Sequence, residues 1–163
     1  MIRSKLNSRL GWGLLIAGLT FGVAMPALAA ECPPEHKKAN VRSAPGDKIW
    51  DGAHLVTEGI VDKTIASVEI AEEPFNIDGR LFRMRTLIVE PGGVVPWHSH
   101  EDRPAIMYLI KGEFTEYASN CAVPVTHKPG DVVPEGPEVA HWWQNHGDET
   151  VMLVSADLLK KEE

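Results

Sequence analysis

The sequence predicts a single all-β domain, and two observations carry this prediction. Short runs rich in Val, Ile, Leu and Thr recur along most of the chain, and turn signals such as Asp78-Gly79, Pro91-Gly92-Gly93 and Pro129-Gly130 separate them. No helical period intervenes between these runs, which favours a sandwich or a barrel. A length of 163 residues with 44% hydrophobic residues fits one core.

The first 29 residues have the three-part pattern of a secretory signal peptide. Arg3, Lys5 and Arg9 precede an apolar run over residues 14–25, and a small-residue site ends at Ala29. The apolar run is shorter than the roughly 20 residues of a bilayer span, so we expect cleavage and no stable membrane anchor. Cleavage after Ala29 leaves 13 basic and 23 acidic residues, a net charge of −10. The sequence thus predicts a periplasmic or secreted protein.

Charge and cysteine content exclude several classes of protein. The whole chain carries a net charge of −7, and no run of Lys and Arg exceeds two residues, which argues against a nucleic-acid partner. The absence of a C-x-x-C pair excludes zinc-ribbon and thioredoxin motifs. In an oxidising compartment Cys32 and Cys121 can form a disulfide between the N-terminal arm and the body. The alternative is two unrelated cysteines.

After the signal peptide the chain divides into an arm, a barrel and a tail. Residues 30–46 are rich in Pro, Lys and Ala with little periodicity, which predicts an extended N-terminal arm. Residues 47–157 hold the barrel, and residues 158–163 form a C-terminal tail in a stretch that looks helical or frayed from Asp157 onward. The predicted strands are 48–50, 54–56, 64–70, 81–90, 94–100, 106–110, 115–119, 123–127, 131–133, 139–144 and 151–156.

The strongest functional signal is the segment Trp97-His98-Ser99-His100, which lies in a predicted strand. Strand alternation places His98 and His100 on one face, where two imidazoles can grip one metal ion. Such a pair is often only a solvated or hydrogen-bonded pair. A third histidine, His141, in another short apolar strand after a Gly/Pro-rich turn, is what favours a metal site.

The first histidine segment resembles the first motif of the cupin superfamily. That motif has a glycine, five residues, H-x-H, three or four residues, a glutamate, six residues and a glycine. Gly92, His98, His100 and Gly112 stand at these intervals.

The second cupin motif is also recognisable. Gly130, His141 and Asn145 match its outer spacing, whereas Pro134 and Gly136 fall two places early. The resemblance covers roughly residues 68–156 and implies an antiparallel double-stranded β-helix, a jelly-roll barrel, with a metal ion in its mouth.

One departure from the family pattern changes the expected ligand set. Ala105 stands where the family usually has its glutamate ligand. Glu101 and Asp102 belong to the preceding turn and rank behind a site made of the three histidines alone. All-histidine sites in the superfamily occur in thiol and diketone dioxygenases that use ferrous iron, so the resemblance implies oxygen chemistry.

The three histidines do not determine which metal ion is bound. Three neutral imidazoles suit Fe(II), Zn(II), Ni(II), Mn(II) or Cu(II), and the general affinity order favours copper and zinc. Fe(II) is favoured by the family resemblance. A site without a carboxylate favours an anionic substrate.

Three side chains near the histidines are candidates for substrate binding. Alternation from His141 directs Trp143 inward, although tryptophan is more often a core residue than a ligand contact. Met107 lies on the same face of the predicted strand as Ala105, so we expect the bottom of the substrate pocket to be apolar. Arg103 is expected at the rim, within reach of an entering anion.

Arg85 is a fourth candidate, and its orientation is open. If Arg83 and Arg85 face the interior, they can pair with a substrate carboxylate through a bidentate contact. The alternative places both in solvent, with Phe82 and Met84 inside. We favour the alternative because a small barrel rarely buries two arginines without partners.

The sequence therefore predicts an exported metal-binding cupin, most plausibly an oxidoreductase of the dioxygenase type that acts on a small, oxygen-bearing, anionic molecule. A metal-dependent isomerase or lyase is the alternative, as is a non-catalytic periplasmic binding or sensing cupin. No catalytic acid or base is identifiable in the sequence. A homodimer with exchanged N-terminal strands is a further expectation.

Overall fold

The computed structural model describes residues 30–38, 56–70, 77 and 79–161. These residues form a 3-10 turn over Pro34–His36 and eight strands. The strands are β1 (Glu58–Glu69), β2 (Arg80–Ser99), β3 (Ala105–Lys111), β4 (Phe114–Ala118), β5 (Val125–His127), β6 (Val132–Glu135), β7 (Ala140–Gln144) and β8 (Val151–Lys160). The predicted all-β class is confirmed. In the part of the chain that is described, no helix has the length and apolar character needed to cross a membrane.

All strand pairs are antiparallel, and the sheet curls into a half-barrel. Its order is β5-β4-β7-β2-β8-β3-β6, with β1 paired to β2. Strand β2 changes partner along its length, because residues 80–89 pair with β8 and residues 94–99 pair with β7. It therefore contributes to both walls of the predicted double-stranded β-helix.

The change of partner in β2 depends on two glycines. Gly92 has a φ of 78°, which favours glycine. A Cβ on Gly93 would lie 2.7 Å from Cγ1 of Val89 and 2.8 Å from the carbonyl oxygen of Glu90. The strand pairing continues on both sides of this point, so the two strands predicted at 81–90 and 94–100 are one strand.

Alternation along the strands separates two apolar clusters. The inner cluster fills the barrel and consists of Leu87, Val89, Met107, Leu109, Phe114, Val133, Trp143, Val151 and Leu153. The second cluster contains Trp97 and Trp142, and Tyr117 stacks on Trp142 with ring centroids 3.9 Å apart. Trp97 directly precedes His98 and Trp142 directly follows His141, so both histidines point to the opposite, inner side.

The described part of the N-terminal arm is tied to the barrel. Cys32 and Cys121 form a disulfide with a Cα–Cα distance of 5.8 Å, and Lys37 pairs with Cys121 in a β-bridge. The structure thus pairs the two cysteines that the sequence singled out. The predicted signal peptide, arm residues 39–46 and the predicted strands at 48–50 and 54–55 lie outside the described residues.

The C-terminus differs from the expected helical or frayed tail. Strand β8 continues to Lys160, where Leu158 pairs with Phe82 and Lys160 pairs with Arg80. The amide of Leu158 also donates to the carbonyl of Pro104 at 3.1 Å. The long β2 provides hydrogen-bond partners along this whole stretch, and these outweigh its weak local strand signal.

Candidate metal centre

The three predicted histidines meet on the inner face of the barrel. His98 lies near the end of β2 and pairs with His141 of β7, while His100 follows the last residue of β2. The ring centroids are 4.6–5.0 Å apart, and the possible ligand nitrogens all lie within 4.8 Å of one another. His100 and His141 are fully buried, and His98 is partly exposed.

Hydrogen bonds orient two of the imidazoles. Nδ1 of His98 lies 2.8 Å from the carbonyl oxygen of Pro96, and Nδ1 of His100 lies 2.9 Å from that of Arg103. A carbonyl only accepts, so both Nδ1 atoms must donate, and each Nε2 keeps its lone pair for a metal.

A buried carboxylate orients the third imidazole. Nδ1 of His141 lies 2.6 Å from Oε1 of Glu116, whose Oε2 lies 3.1 Å from Nε2 of His127. Burial raises the pKa of Glu116, but the hydrogen bonds from His127 and His141 outweigh it and lower that pKa to about 2. Glu116 is therefore an anion next to the ligand, as in the carboxylate–histidine–metal arrangements of metalloproteins.

The donor set fits a metal ion. The Nε2 atoms of His100 and His141 lie 3.1 Å apart, and both rings hold their protons on Nδ1, so two lone pairs face each other. Such a contact is repulsive unless a cation, either a proton or a metal ion, sits between the nitrogens. Although burial opposes it, the hydrogen bond to Glu116 raises the pKa of His141, so without a metal ion its Nε2 carries the proton that lies between the two rings. Burial and the charge of this protonated ring lower the pKa of His100 to about 4 and that of His98 well below its usual value. Both are therefore neutral ligands at neutral pH.

A second buried carboxylate, Glu135 of β6, lies beside the histidines. Its Oε1 is 3.6 Å from Nε2 of His141, and its Oε2 is 3.6 Å from Nε2 of His100. Burial raises the pKa of Glu135 although the charge of His141 opposes it. Glu135 pairs in register with Ala105, the residue at the position of the missing family glutamate. Glu101 and Asp102, by contrast, are exposed in the turn after His100.

The sequence analysis missed Glu116, Glu135 and His127, although a signal for the two acids was present. Glu116 stands between the inward-facing Phe114 and Ala118, and Glu135 follows the inward-facing Val133 by two residues. An acidic residue at an inward position of a barrel strand needs a partner there. His127 shares this pattern on a strand of three residues, too short to show a period.

A cavity of about 290 Å³ opens beside His98, and we refer to it as the entry cavity. Arg85, Leu87, Val95, His98 and Arg103 are among the residues that line it. A smaller cavity of about 30 Å³ continues inward, where Met107, Glu135 and Trp143 join the lining. All four side chains that the sequence offered for substrate binding thus lie along one path next to His98.

The orientation that we favoured for Arg83 and Arg85 is wrong. Both side chains point inward, whereas Phe82 and Met84 are exposed by 45% and 41%. The reason is Asp157 on β8, whose side chain is fully buried, and which lies 2.7 Å from Nη2 of Arg83 and 3.5 Å from Nε of Arg85. The partner that a buried arginine needs comes from a strand distant in sequence.

Arg103 belongs to the same group, since its Nη1 lies 3.2 Å from Oδ2 of Asp157. Arg85 also forms an ion pair with Asp62 of β1. Three arginines and two aspartates leave one excess positive charge at the entry cavity, which favours an anionic ligand.

A third cavity of about 280 Å³ lies where the arm covers the barrel. Cys32, Lys37 and Cys121 line it from one side, and Glu135 and His141 from the other. The disulfide therefore fixes a wall of a space that adjoins the histidine cluster.

Comparison with known proteins agrees with this architecture. Residues 85–157 match the family model described as Cupin domain. No curated protein matches the sequence.

Among solved structures, a polyketide cyclase from Streptomyces resistomycificus is 14% identical, with 68% of this chain and 72% of that chain covered, at a TM-score of 0.53. The cupin domain of an XRE family transcriptional regulator from Enterobacter cloacae is 15% identical, with 64% and 100% covered, at 0.49. A predicted oxalate decarboxylase from Thermotoga maritima is 21% identical, with 64% and 99% covered, at 0.46. At 14% identity the likeness to the polyketide cyclase is one of fold alone. The barrel and its three-histidine cluster agree with a cupin fold, and residues 85–157 of the chain are similar to the Cupin domain.

Proposed function

We propose that this protein is an exported, metal-dependent enzyme of the dioxygenase type that acts on a small, oxygen-bearing, anionic molecule. One observation carries the proposal: three oriented Nε2 atoms converge beside a cavity that both His98 and Arg85 line. Fe(II) is the ion that family resemblance favours, and Zn, Ni, Mn and Cu suit the same nitrogens.

The side chains of this site have separable tasks. A divalent ion held by the histidines would supply Lewis-acid or redox chemistry. Leu87, Val95 and Trp143 make the cavity apolar and exclude water from the reacting molecule. Arg85 lines the entry cavity between its ion-pair partners Asp62 and Asp157, and its guanidinium is the group that we expect to pair with a substrate carboxylate or enolate.

A dioxygenase reaction needs no second cofactor. Both atoms of dioxygen enter the organic product, and the substrate supplies the four electrons that reduce them. No external reductant is required, and the protein has only to orient the substrate and keep water away.

The disulfide supports export. Disulfides persist in oxidising compartments and are rare in the cytosol. Cys32 and Cys121 are paired, and the signal-peptide pattern before residue 30 predicts the same destination.

Metal analysis combined with oxygen uptake tests the proposal. We expect purified protein to contain close to one equivalent of metal and to consume oxygen with an acidic diketone, thiol, phenol or hydroxy acid. Arg85→Gln should raise KM for the anionic compound, whereas Lys128→Gln, at an exposed cation remote from the cavity, should not.

The alternatives are outcomes of the same experiment. Turnover that proceeds equally well without oxygen would indicate an isomerase or lyase. Saturable ligand binding without turnover would indicate a binding or sensing protein. Absence of bound metal after reconstitution would contradict every metal-dependent reaction.

We also propose that a second copy of this chain is a partner. The outer face of strands β1, β2, β8, β3 and β6 is apolar and exposed, and it includes Val68, Phe82, Met84, Ile106, Tyr108 and Val132. With about 4.8 Å between strands and about 3.3 Å per residue, this face covers roughly 700 Å². Stable dimers bury about 800 Å² per partner, and a two-fold axis lets one apolar face cover its own copy.

Light scattering after size exclusion tests the dimer. We expect twice the chain mass for the wild type and a single chain mass for Ile106→Glu, because the charge would be buried in the interface. Thr126→Glu places the same charge on an exposed position of β5, outside this face, and should leave the dimer intact. A monomeric wild type would overturn the proposal.

A further inference from the structure

We propose that Glu135 is the fourth protein ligand of the metal, supplied by β6 in the place that Ala105 leaves vacant on β3. This inference rests on the proposed metal site. It changes the predicted ligand set from three histidines to three histidines and one carboxylate.

Strand register is the first support. Ala105 and Glu135 are direct cross-strand partners in the antiparallel pair β3–β6, so their side chains lie on the same face of the sheet. Both are buried, at 7% exposure each, and both point into the barrel. A carboxylate at either position starts about 5 Å from the other and enters the same space.

Distances to the histidines are the second support. Two ligand atoms that each lie about 2.1 Å from a metal are about 3.0–3.6 Å apart when the angle at the metal is between about 90° and 120°. Nε2 of His100 and Nε2 of His141 are 3.1 Å apart. Each of these nitrogens is 3.6 Å from an oxygen of Glu135. One ion can therefore contact both of these nitrogens and the carboxylate. The ligand atoms that already lie within 4.8 Å of one another are those of the three histidines, so a rotation of the Glu135 side chain completes the set with His98.

The surroundings of Glu135 are the third support. The other two buried acids described above have ordinary partners, because Glu116 is hydrogen-bonded by His127 and His141, and Asp157 by Arg83. Within the described residues, Glu135 has no lysine or arginine at ion-pair distance, and its ion-pair contacts are with His100 and His141, while Arg85 and Arg103 act on it from farther away. A buried carboxylate needs a countercharge, and a metal ion between those histidines supplies it.

The chemical consequence concerns charge and metal preference. A divalent ion with three neutral imidazoles keeps two positive charges, whereas the added carboxylate leaves one. A carboxylate suits Mn(II), and together with histidines it suits Fe(II), whereas Cu(I) prefers soft ligands, so Glu135 shifts the preference of the site toward Mn(II) and Fe(II). One remaining positive charge still attracts an anionic substrate.

Cobalt(II) titration tests the assignment without reference to activity. Removal of a residue that only hydrogen-bonds a metal ligand weakens metal affinity about 10–100-fold. We expect Glu135→Gln to weaken Co(II) binding by at least this factor and to change the visible d–d spectrum, because a neutral amide replaces the charged carboxylate ligand. The exposed Glu138 lies three residues away, so Glu138→Gln is the matched control and should change neither.

A second test moves the carboxylate from position 135 to position 105, so that a loss of metal binding can be distinguished from a loss of stability. Glu135→Ala should lose affinity, and the double variant Ala105→Glu/Glu135→Ala should recover most of it, since the carboxylate re-enters from the facing strand. Wild-type affinity and an unchanged spectrum in Glu135→Gln would overturn the assignment. If the double variant folds but does not recover Co(II) affinity, positions 105 and 135 do not direct a carboxylate to the same metal site.

His141→Ala distinguishes a failure of the proposed metal site from a failure of the role assigned to Glu135. If His141→Ala loses Co(II) while Glu135→Gln binds it as the wild type does, the metal site stands and the role of Glu135 falls. If His141→Ala also binds Co(II) like the wild type, the proposed metal site itself is refuted.

Discussion

His141 donates from Nδ1 to Oε1 of Glu116 over 2.6 Å, and this contact fixes the direction in which its Nε2 atom points. The two residues lie on neighbouring strands, because β4 pairs with β7. His127 of β5 holds the other oxygen of the same carboxylate at 3.1 Å. Three adjacent strands thus contribute to the orientation of one ligand nitrogen.

Glu116→Gln should therefore weaken metal binding. The amide still accepts a hydrogen bond but no longer carries the charge that polarises His141, so we expect a loss of affinity of about 10–100-fold. Chelator competition measures this loss. Glu113→Gln, at an exposed glutamate just before β4, is the control. Equal affinities for both variants would contradict a role for Glu116.

Replacement of any one of His98, His100 and His141 by Ala should remove most of the bound metal. The fold should persist, because the inner apolar cluster does not include these residues. Metal stoichiometry and the thermal midpoint are the two measurements. Full occupancy in any variant would refute a shared site, and unfolding of all three would indicate a structural role.

Asn145→Ala should keep the metal and lose stability. Asn145 is fully buried, donates from Nδ2 to the carbonyls of Val89 and Glu149, and accepts from the amide of Gly147. Loss of these bonds in the interior should cost about 1–3 kcal/mol. Urea unfolding gives the stability, and metal analysis of the same sample gives the occupancy. Metal loss from the folded variant would place Asn145 in the site.

Asp157→Asn should destabilise the protein more at pH 7 than at pH 3. Burial raises the pKa of Asp157, but its contacts with Arg83, Arg85 and Arg103 hold that pKa below its usual value. A group with a lowered pKa contributes stability above its unfolded-state pKa, and this contribution disappears as the pH falls through the folded-state pKa.

Thermal unfolding of wild type and Asp157→Asn across this pH range checks the prediction. We expect their free energies of unfolding to differ by about 1–3 kcal/mol at neutral pH, and this difference narrows as the wild-type carboxyl takes up its proton. Asp148→Asn, at an exposed aspartate, should show no such dependence. A constant difference at all pH values would exclude the charge as the cause.

Cys32→Ser/Cys121→Ser should lower the free energy of unfolding by about 2–4 kcal/mol. The bond closes a long loop, since the two cysteines are 89 positions apart. Wild-type protein treated with a reductant should lose a similar amount. Unchanged stability in both samples would show that the arm is not held by this bond in solution.

The fold and the histidine cluster could both be predicted from the sequence. Alternating apolar residues and Gly/Pro turns define a β protein, and the spacing from Gly92 to His98 and from Gly130 to His141 follows the two cupin motifs. These signals are local, because side-chain alternation within one strand sets which face each residue occupies. The same alternation directed Trp143 and Met107 into the barrel.

The contacts between charged side chains on different strands could not be predicted from the sequence. Arg85 finds Asp157 across β2 and β8, and Glu135 reaches the histidines from β6 opposite Ala105. The sequence shows that an arginine or an acid occupies an inward position, but not which strand lies next to it. Strand order and register fix those neighbours, and a buried charge is stable only with the neighbour that they provide.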